Sequence, residues 1–510
     1  MGKIALAVVV SLWVIPFTIL LNRIVPEPYM DEIFHIPQAQ KYCKGNFGSW
    51  DPMITTPPGL YYLSLAHVAS LFPGFYAVQA ALSFADLCST AILRSLNGVL
   101  AVICSIILYN IITHLKPKLD DRKAMLHAVV LSLYPLHWFF AFLYYTDVAS
   151  VTTVLSMYLA CLKKNYWLSG LIGAFSVVIR QTNIIWVLFV ACTSIIEIAM
   201  THGKDSARTA ETDVSINKPG LAQVNNNSTL GLNLRKRKVV KAVDTVKSSF
   251  PSAHASSPSS SSGLFDDIWA ILFTLRHMKW ELLISFSPFL MVLVAFVLFV
   301  FWNGSIVLGA KEAHTVTPHF AQILYFSLFS VLALAPMHFT ASQAVDLFQY
   351  FWKHMKLGFF LGFMALIAGF VSVHFFSVAH PYLLADNRHY PFYLWRKVIM
   401  AHWSIKYLLV PLYIWSWLSI IYTLGKFRNK IWVLAYFVAT AAVLVPAPLI
   451  EFRYYTIPFY FLALHCNNED SRSWLLTGII YIGVNAFTMM MFLFKPFTWN
   501  HEPGIQRFIW

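Results

Sequence analysis

The chain alternates about thirteen predominantly apolar runs with short polar loops, and this alternation restricts its fold more than any other feature. About 20 apolar residues are enough for a helix to cross a bilayer. The runs, some of them short, occupy residues 4–25, 86–113, 125–144, 147–162, 167–182, 184–200, 281–302, 319–337, 357–378, 404–424, 431–447, 454–465 and 474–494. We therefore expect an all-α polytopic membrane protein with about thirteen transmembrane helices.

The composition agrees with a membrane protein. Hydrophobic residues make up 58% of the chain and charged residues only 12%, whereas soluble domains carry about 25% charged residues. This composition excludes a soluble multidomain enzyme and a mainly disordered chain. An outer-membrane barrel is excluded too, because its strands alternate apolar and polar residues.

The basic residues predict which loops share a side of the membrane. The stretch 59–83 contains the turn sequence Phe72-Pro73-Gly74, so we expect two interfacial helices there and no crossing. With that count, the basic loops share the cytosolic side of Lys3, as the positive-inside rule requires: 116–123, 163–164, 201–279, 353–356 and 425–430. The basic residues behind the net charge of +14 then serve to orient the chain in the membrane, with membrane lipid as a partner. We expect no nucleic acid partner.

The opposite face receives the loops that are dense in His, Tyr, Asp, Glu and single Arg residues. Three parts of the chain follow. We expect an N-terminal membrane module at 1–200 with its first polar loop at 26–83, and a C-terminal module at 268–510 with polar loops at 303–318, 379–403 and 447–453. Residues 201–267, rich in Ser, Asn and Lys, are expected to form a disordered cytosolic linker.

The six cysteines are scattered, without a CxxC motif or paired spacing, so we expect neither a disulfide framework nor a metal site. The histidine spacings match no metal motif either. No DxD sequence occurs, so the metal site usual in nucleotide-sugar transferases is not expected, nor is any cofactor.

The first polar loop carries the strongest chemical signal. Asp31 and Glu32 open a helical pattern that places Asp31 and His35 on one face. A carboxylate there could act as a general base, but acidic residues at a helix N-terminus also interact favourably with its dipole, and these residues alone leave both interpretations open. Trp50 and Asp51 follow in a proline-rich connection back to the membrane.

Long ungapped motifs along the chain resemble one eukaryotic family. They are MDEIFHIPQAQKYC, WDPMITTPPGLYYL, FLYYTD, RQTNIIW, YLLADNRHY, KYLLVP, LIEFRY and IQRFIW. The family is the dolichyl-phosphate-glucose-dependent α-1,2-glucosyltransferase of the endoplasmic reticulum, which adds the third and last glucose to the lipid-linked oligosaccharide. The resemblance implies a GT-C type fold with an acidic catalytic residue in the first lumenal loop. It also implies dolichyl phosphate glucose as donor, dolichol-diphosphate oligosaccharide as acceptor, and inversion at the anomeric carbon.

An inverting displacement needs one base and a way to stabilise the departing phosphate. We expect Asp31 to be the base, with Glu32 as the alternative. Candidates for phosphate binding are cations at the lumenal ends of spans: Arg180, Arg388, His389 and Arg453. Interfacial snorkelling, or pairing of Arg453 with Glu451 and of Arg388 with Asp386, is an equally open role for the arginines.

Further residues could contact substrate. They are His35, Trp50, Asp51, Asp147, Asp386 and Glu451. For Asp147 a helix cap is about as good an explanation. A membrane transporter or a channel-associated regulatory subunit is the rival class, but transporters place ionisable residues near the midplane of repeated halves, and this chain has no internal repeat.

Overall fold

The computed structural model describes residues 2–72, 87–216, 264–314, 316–353, 355–500 and 504–510, and within them the chain is almost entirely helical. The helices before the central segment are α1 Gly2–Ile24, α2 Glu32–Cys43, α3 Gly59–Leu71, α4 Thr90–Leu115, α5 Asp121–Ser132, α6 Pro135–Phe140, α7 Thr146–Leu162, α8 Tyr166–Ile179 and α9 Ile184–Ile216. Those after it are α10 Leu264–His277, α11 Lys279–Asn303, α12 Ala321–Ala333, α13 Ala335–His338, α14 Ala341–Lys353, α15 Met355–Phe375, α16 Pro381–Ala385, α17 Tyr390–Leu394, α18 Ile405–Leu408, α19 Val410–Gly425, α20 Lys430–Leu444, α21 Thr456–His465 and α22 Ser471–Phe494.

Every predicted apolar run contains at least one of these helices, which confirms a polytopic helical protein. In the part of the chain that the structure describes, seven helices are long and apolar enough to cross a bilayer, and α7, α8, α12 and α20 are shorter apolar helices. Prolines divide several runs: Pro135 begins α6, and α13 and α19 each have a proline as their second residue. Proline has no N–H for the helical ladder, so it starts helices and interrupts long ones. The count of about thirteen spans stays a prediction.

The core surrounds α7 and α21. Nearly all of α7 is buried, between α4 and α8, and all residues of α21 are buried. A helix that is apolar on every side is stable only when neighbours cover it. Aromatic contacts fill the space around α21; Phe459 stacks on Tyr134 with ring centroids 4.0 Å apart. α22 completes this region by packing on α5 and α6.

The loops predicted to share one face do meet at one end of this bundle. The backbone N–H of Leu308 and the side chain of Gln181 both donate to the carbonyl of Thr55. At the other end, Lys116 donates to the carbonyl of Cys466 over 2.6 Å, and Lys426 pairs with Asp346 over 3.1 Å. The polar loops that contain Thr55, Gln181 and Leu308 therefore lie apart from the basic loops that contain Lys116 and Lys426.

A disulfide joins Cys43, at the end of α2, to Cys88, just before α4. The expectation of no disulfide was wrong. The two sulfurs lie 45 positions apart in sequence, and the fold brings them together beside Val68 of α3, where all three side chains are buried. Spacing alone carries no sign of such a pair, because packing of α2 and α3 against α4 creates it.

The predicted interfacial stretch 59–83 begins with α3. Its second predicted helix lies outside the described residues, apart from Phe72. Gly59 allows α3 to approach α8 closely, since a Cβ at Gly59 would stand 2.6 Å from the carbonyl oxygen of Val178. This contact places the start of α3 beside Arg180, the residue that follows α8.

The chain divides into two compact units, Met1–Ile196 with Lys279–Trp510, and Glu197–Met278. Most of the predicted N-terminal and C-terminal membrane modules thus belong to one unit, whereas residues 268–278 of the predicted C-terminal module belong to the other. Both ends of the predicted linker 201–267 are helical, because α9 continues to Ile216 and α10 begins at Leu264. Residues 217–263, the middle of that linker, lie outside the described part of the chain.

The last described segment folds back onto the polar loops. The strands β1 Phe497–Thr498 and β2 Ile505–Gln506 form a short antiparallel pair. After β2, Ile509 forms a parallel bridge with His389. Residue Trp510 therefore lies at the same end of the molecule as the polar loops.

Candidate active site

The first polar loop makes a sharp turn just before α2. Met30 has φ +56°, a left-handed backbone conformation that residues other than glycine rarely adopt. Asp31 follows at the N-cap position of α2. The carboxylate of Asp31 makes no capping hydrogen bond to the helix. The absence of this bond weakens the interpretation that Asp31 only stabilises the helix N-terminus. The unusual backbone at Met30 is of a kind that is frequent at functional sites.

Glu32, by contrast, is completely buried and fully bonded. Nε and Nη2 of Arg94 donate to its two oxygens over 2.9 and 2.6 Å. The backbone N–H groups of Tyr144 and Tyr29 donate to the same oxygens over 2.6 and 3.1 Å. The side chains of Glu32 and Arg94 both have an exposed fraction of 0%. Each oxygen of Glu32 therefore accepts two hydrogen bonds and is shielded from solvent.

The carboxylate of Asp31 meets a different arginine. Nη1 of Arg453 donates to Asp31 Oδ2 over 3.0 Å, while Nε and Nη2 of Arg453 bind Glu451 over 3.0 and 2.7 Å. Asp147 Oδ2 lies 3.7 Å from Arg453 Nη1. The side chain of Asp31 remains 43% exposed, against 8% for Asp147 and 17% for Glu451. Of these three carboxylates, Asp31 is the most exposed.

Arg180 extends this cluster on the far side of Asp147. Its Nη1 donates to Asp147 Oδ1 over 2.8 Å, and its guanidinium lies over the ring of Tyr454. We call the set Asp31, Asp147, Arg180, Glu451 and Arg453 the acidic-arginine cluster. It contains three carboxylates and two guanidiniums, contributed by four of the polar loops or junctions that the sequence placed on one face.

Aromatic rings form one wall of the acidic-arginine cluster. The guanidinium of Arg453 stands 5.4 Å from the ring centroids of both Phe140 and Tyr145, a cation–π arrangement. The hydroxyl of Tyr145 also accepts a hydrogen bond from the backbone N–H of Asp31 over 3.2 Å. Tyr145 thus fixes both partners of the Asp31–Arg453 pair.

The electrostatics keep Asp31 ionised. Partial burial would raise the pKa of the Asp31 carboxyl, but the charge of Arg453, joined by that of His35 whenever the imidazole is protonated, outweighs burial and holds the pKa below its ordinary value. For His35, burial lowers the pKa of the imidazole, and the charge of Asp31 offsets only part of that effect. A carboxylate beside a neutral imidazole is the expected state at neutral pH.

His35 connects the acidic-arginine cluster with the rest of the loop. Its Nδ1 lies 2.7 Å from the hydroxyl of Tyr61, and the ring of Trp50 packs edge-on against Tyr61 at 6.0 Å. Asp51 does not join the cluster: its Oδ1 accepts from the backbone N–H of Met53 in a local turn. The ring of Tyr61 therefore lies between Trp50 and His35, and Asp51 stabilises a local turn of the loop.

A second group forms around Asp386, and the structure reproduces the predicted pairing with Arg388. Arg388 binds Asp386 through Nε and Nη2, with the shortest distance 2.8 Å, and donates from Nη1 to Gln506 over 2.9 Å. His389 Nε2 lies 3.6 Å from Asp386 Oδ2. Burial would raise the pKa of Asp386, but the hydrogen bond from Arg388 and the charge of His389 lower it.

Sequence reasoning missed three residues that build this site. Arg94 binds Glu32 and also donates to Asn22 and to the carbonyl of Val25. Its signal was visible, because a lone arginine inside an apolar run must find partners within the protein. Tyr145 and Tyr454, under the two guanidiniums, gave no such signal among so many aromatic residues. In the described part of the chain, no three His, Cys, Asp or Glu residues are grouped closely enough to hold a metal ion.

Comparison with known proteins identifies the family. Residues 25–464 match the model of the DIE2/ALG10 family. The chain belongs to the DIE2/ALG10 family. This confirms the family that the sequence motifs predicted, and the match includes every residue of the acidic-arginine cluster.

Curated relatives cover almost the full length of this DIE2/ALG10 chain. A protein of Arabidopsis thaliana named Dol-P-Glc:Glc(2)Man(9)GlcNAc(2)-PP-Dol alpha-1,2-glucosyltransferase is 57% identical over 516 residues, covering 100% of both chains. Proteins with the same name from Homo sapiens and Yarrowia lipolytica are 33% and 32% identical; each alignment covers 96% of this chain and 94% of the relative. No solved structure matches the chain significantly.

Proposed function

We propose that this protein transfers glucose from dolichyl phosphate glucose, in α-1,2 linkage, to the diglucosylated dolichol-diphosphate oligosaccharide. The names of its full-length relatives supply the donor and the acceptor. The observation that carries the proposal to this chain is Asp31, an exposed carboxylate kept ionised by Arg453 inside the acidic-arginine cluster. A transporter or channel subunit is not favoured, since the named relatives are transferases.

Asp31 would act as the general base of a single inverting displacement. In this step the acceptor hydroxyl oxygen forms a bond to the anomeric carbon of glucose while the bond from that carbon to the phosphate oxygen breaks. The hydroxyl proton passes to the carboxylate of Asp31, and dolichyl phosphate leaves with the electron pair of the broken bond. The exposed fraction of Asp31 supports this role, because the base must reach the acceptor oxygen directly or through one water.

Glu32 is a poor alternative base. Four hydrogen bonds already occupy its two oxygens, and its burial beside Arg94 leaves no path to a sugar hydroxyl. A protonated Glu32 would be neutral, so the buried positive charge of Arg94 would lose its counter-ion. We therefore infer that Glu32 holds the loop in place and that Asp31 performs the chemistry.

Among the predicted phosphate ligands, Arg180 is the best placed to bind the leaving group. The structure describes a hydrogen bond from its Nη1 to Asp147, which leaves other guanidinium N–H groups to bind phosphate oxygens. Arg453 is committed to Glu451 and Asp31, so we assign it to holding the base. His389 and Arg388 would approach the phosphate from the second group around Asp386.

We place the site on the lumenal side of the endoplasmic reticulum membrane. The disulfide between Cys43 and Cys88 lies in the same loop as Asp31, and disulfides persist in oxidising compartments such as this lumen. The separation of basic loops from polar loops supports the same orientation. The name of the family's substrate, a dolichol-linked oligosaccharide, agrees with this compartment.

Microsomes lacking their own terminal glucosyltransferase test the proposal. They accumulate lipid-linked oligosaccharide that lacks one glucose, and expression of this chain should restore the complete oligosaccharide. Dolichyl phosphate mannose, offered in place of the glucose donor to the purified protein, should give no product. Failure of this chain to restore the complete oligosaccharide, or equal use of the two donors, would refute the proposed function.

A further inference from the structure

The segment Ile505–Trp510, which we call the terminal strap, lies between the loop that carries Asp31 and the loop that carries His389. At its start, Gln506 is buried and accepts a hydrogen bond from Arg388. At its end, the carbonyl oxygen of Trp510 lies 3.2 Å from Nδ1 of His389. The terminal strap thus contacts both predicted phosphate ligands of the second group.

Tyr29 ties the terminal strap to the catalytic loop. Its hydroxyl donates to the carbonyl of Arg507 over 2.8 Å and accepts from the N–H of Arg507 over 2.7 Å. Burial raises the pKa of Tyr29 to about 12, so the hydroxyl keeps the proton that it donates. Tyr29 stands two residues before Asp31, and its own N–H donates to Glu32. The Arg507 side chain donates to the carbonyls of Phe492 and Leu493, which anchors this junction on the end of α22.

Backbone hydrogen bonds tie the terminal strap to the other loop. The N–H of Ile509 donates to the carbonyl of Arg388 over 2.9 Å, and the N–H of Tyr390 donates to the carbonyl of Ile509 over 3.1 Å. The ring of Trp510 packs on Tyr390 at 5.0 Å and edge-on against Phe452 at 6.2 Å. Phe452 directly precedes Arg453, the partner of Asp31. One short segment therefore contacts three loops that each supply a residue of the proposed site.

We propose that the terminal strap is a positioning element, in which Tyr29 and Trp510 hold the His389 loop at a fixed distance from Asp31. The inference rests on the proposed function, since it assigns the His389 loop to the donor phosphate. Neither Tyr29 nor Trp510 contacts the reacting atoms in this arrangement. Their role is to hold the phosphate ligands of the His389 loop where the donor phosphate binds, so losing these contacts weakens donor binding.

Steady-state kinetics of the full-length protein with dolichyl phosphate glucose and the lipid-linked acceptor test this role. Trp510→Ala and Tyr29→Phe should each raise KM for the donor about tenfold, consistent with the loss of one or two positioning contacts, and leave KM for the acceptor unchanged. Trp510→Phe should restore donor KM, because the ring packing remains and the indole Nε1 has no partner among the described residues. Ile505→Ala is the matched control, since this side chain of the same segment is 59% exposed.

The possible results distinguish failure of the terminal strap proposal from failure of the proposed function. Tyr29→Phe removes only one hydroxyl, so it provides a folded variant if Trp510→Ala does not fold. A wild-type protein that transfers glucose, with donor KM unchanged in the folded variants, would overturn the strap alone. Donor and acceptor KM rising equally would likewise reject it. A wild-type protein without transfer from dolichyl phosphate glucose would instead reject the proposed function.

Discussion

Arg453 donates a hydrogen bond of 3.0 Å to Asp31 from a position 422 residues away in sequence. The same guanidinium binds Glu451, so the arginine is held by a neighbour on its own loop while it reaches the catalytic loop. This pair links the start of α2 to the segment before α21, a core helix whose residues are all buried. The protonation state of the proposed base is therefore set by the packing of the loop before α21 against the start of α2.

The first prediction concerns the pH dependence of transfer. The charge of Arg453 lowers the pKa of Asp31, so the base is ionised above that pKa and activity is lost as the pH falls through it. Arg453→Gln removes the charge and raises the pKa of Asp31. We expect the acidic limb of the kcat/KM profile to move to higher pH.

Arg453→Lys is the matched control, because it keeps the charge but loses the guanidinium that binds Glu451 and Asp31 at the same time. Its rate should fall while the acidic limb stays close to the wild-type position. The measurement is the pH profile of purified protein in detergent. An unchanged acidic limb in a folded Arg453→Gln protein would show that Asp31 is not the titrating base.

The second prediction separates two adjacent carboxylates. Asp31→Asn should fold normally and lose about 10²–10⁴-fold in kcat, the usual contribution of a general base. Glu32→Gln leaves the buried Arg94 uncompensated and should destabilise the fold by about 3–5 kcal/mol. Its folded fraction should retain transfer.

Thermal unfolding in detergent and turnover per folded molecule measure these two effects independently. A stable Glu32→Gln protein without activity, paired with an active Asp31→Asn protein, would reverse the assignment of the two residues. The neighbouring positions make each variant a control for the other, since both remove one negative charge.

The helical membrane architecture could be predicted from the sequence, because apolar runs and basic loops are recognised from neighbouring residues alone. Each run became a helix or two, and prolines such as Pro135 mark where a run divides. The short-range pairs Arg453–Glu451 and Arg388–Asp386 were also predictable, since two residues of separation bring such side chains together in a turn. Local chemistry is sufficient for features of this kind.

Long-range partners were not predictable from one sequence. Arg94 meets Glu32 across 62 positions, and Cys43 meets Cys88 across 45, only because α2 packs against α4. The same limit applies to the terminal strap, whose contact with Tyr29 spans 478 positions. No propensity or periodicity encodes which distant loops will touch, so the different partners of Asp31 and Glu32 are visible only in the folded chain.

The third prediction concerns the disulfide between Cys43 and Cys88. Its removal should destabilise the first polar loop by about 2–4 kcal/mol, because the reduced chain gains conformational freedom in the unfolded state. Cys43→Ser, Cys88→Ser and the double variant should lower the unfolding temperature by similar amounts, since each breaks the same bond. Cys192→Ser, at a free and exposed cysteine, is the control.

Alkylation before and after reduction checks the same bond by mass spectrometry. Peptides with Cys43 and Cys88 should be labelled only after reduction in protein from oxidising microsomes. Labelling of both cysteines in unreduced, folded protein would disprove the disulfide and remove one support for the lumenal placement.

The fourth prediction concerns divalent metal ions. The chain contains no DxD sequence, and Arg180 offers a permanent positive charge to the leaving phosphate. Transfer should therefore persist in EDTA at the wild-type rate. Activity that disappears in EDTA and returns with Mg²⁺ or Mn²⁺ would contradict this mechanism.

The last prediction tests Arg180 itself. Arg180→Gln removes a charge that would bind the donor phosphate, and hydrogen bonds to charged groups contribute about 1.5–3 kcal/mol, so donor KM should rise by about 10- to 100-fold. Arg180→Lys should recover only part of this loss, because an ammonium group cannot bind two phosphate oxygens in the same planar geometry. Arg472→Gln, an exposed arginine at the opposite end of the bundle, should leave donor KM unchanged. If the two glutamine variants gave equal donor KM, the phosphate would have to be bound by other cations of the site, with His389 the first to examine.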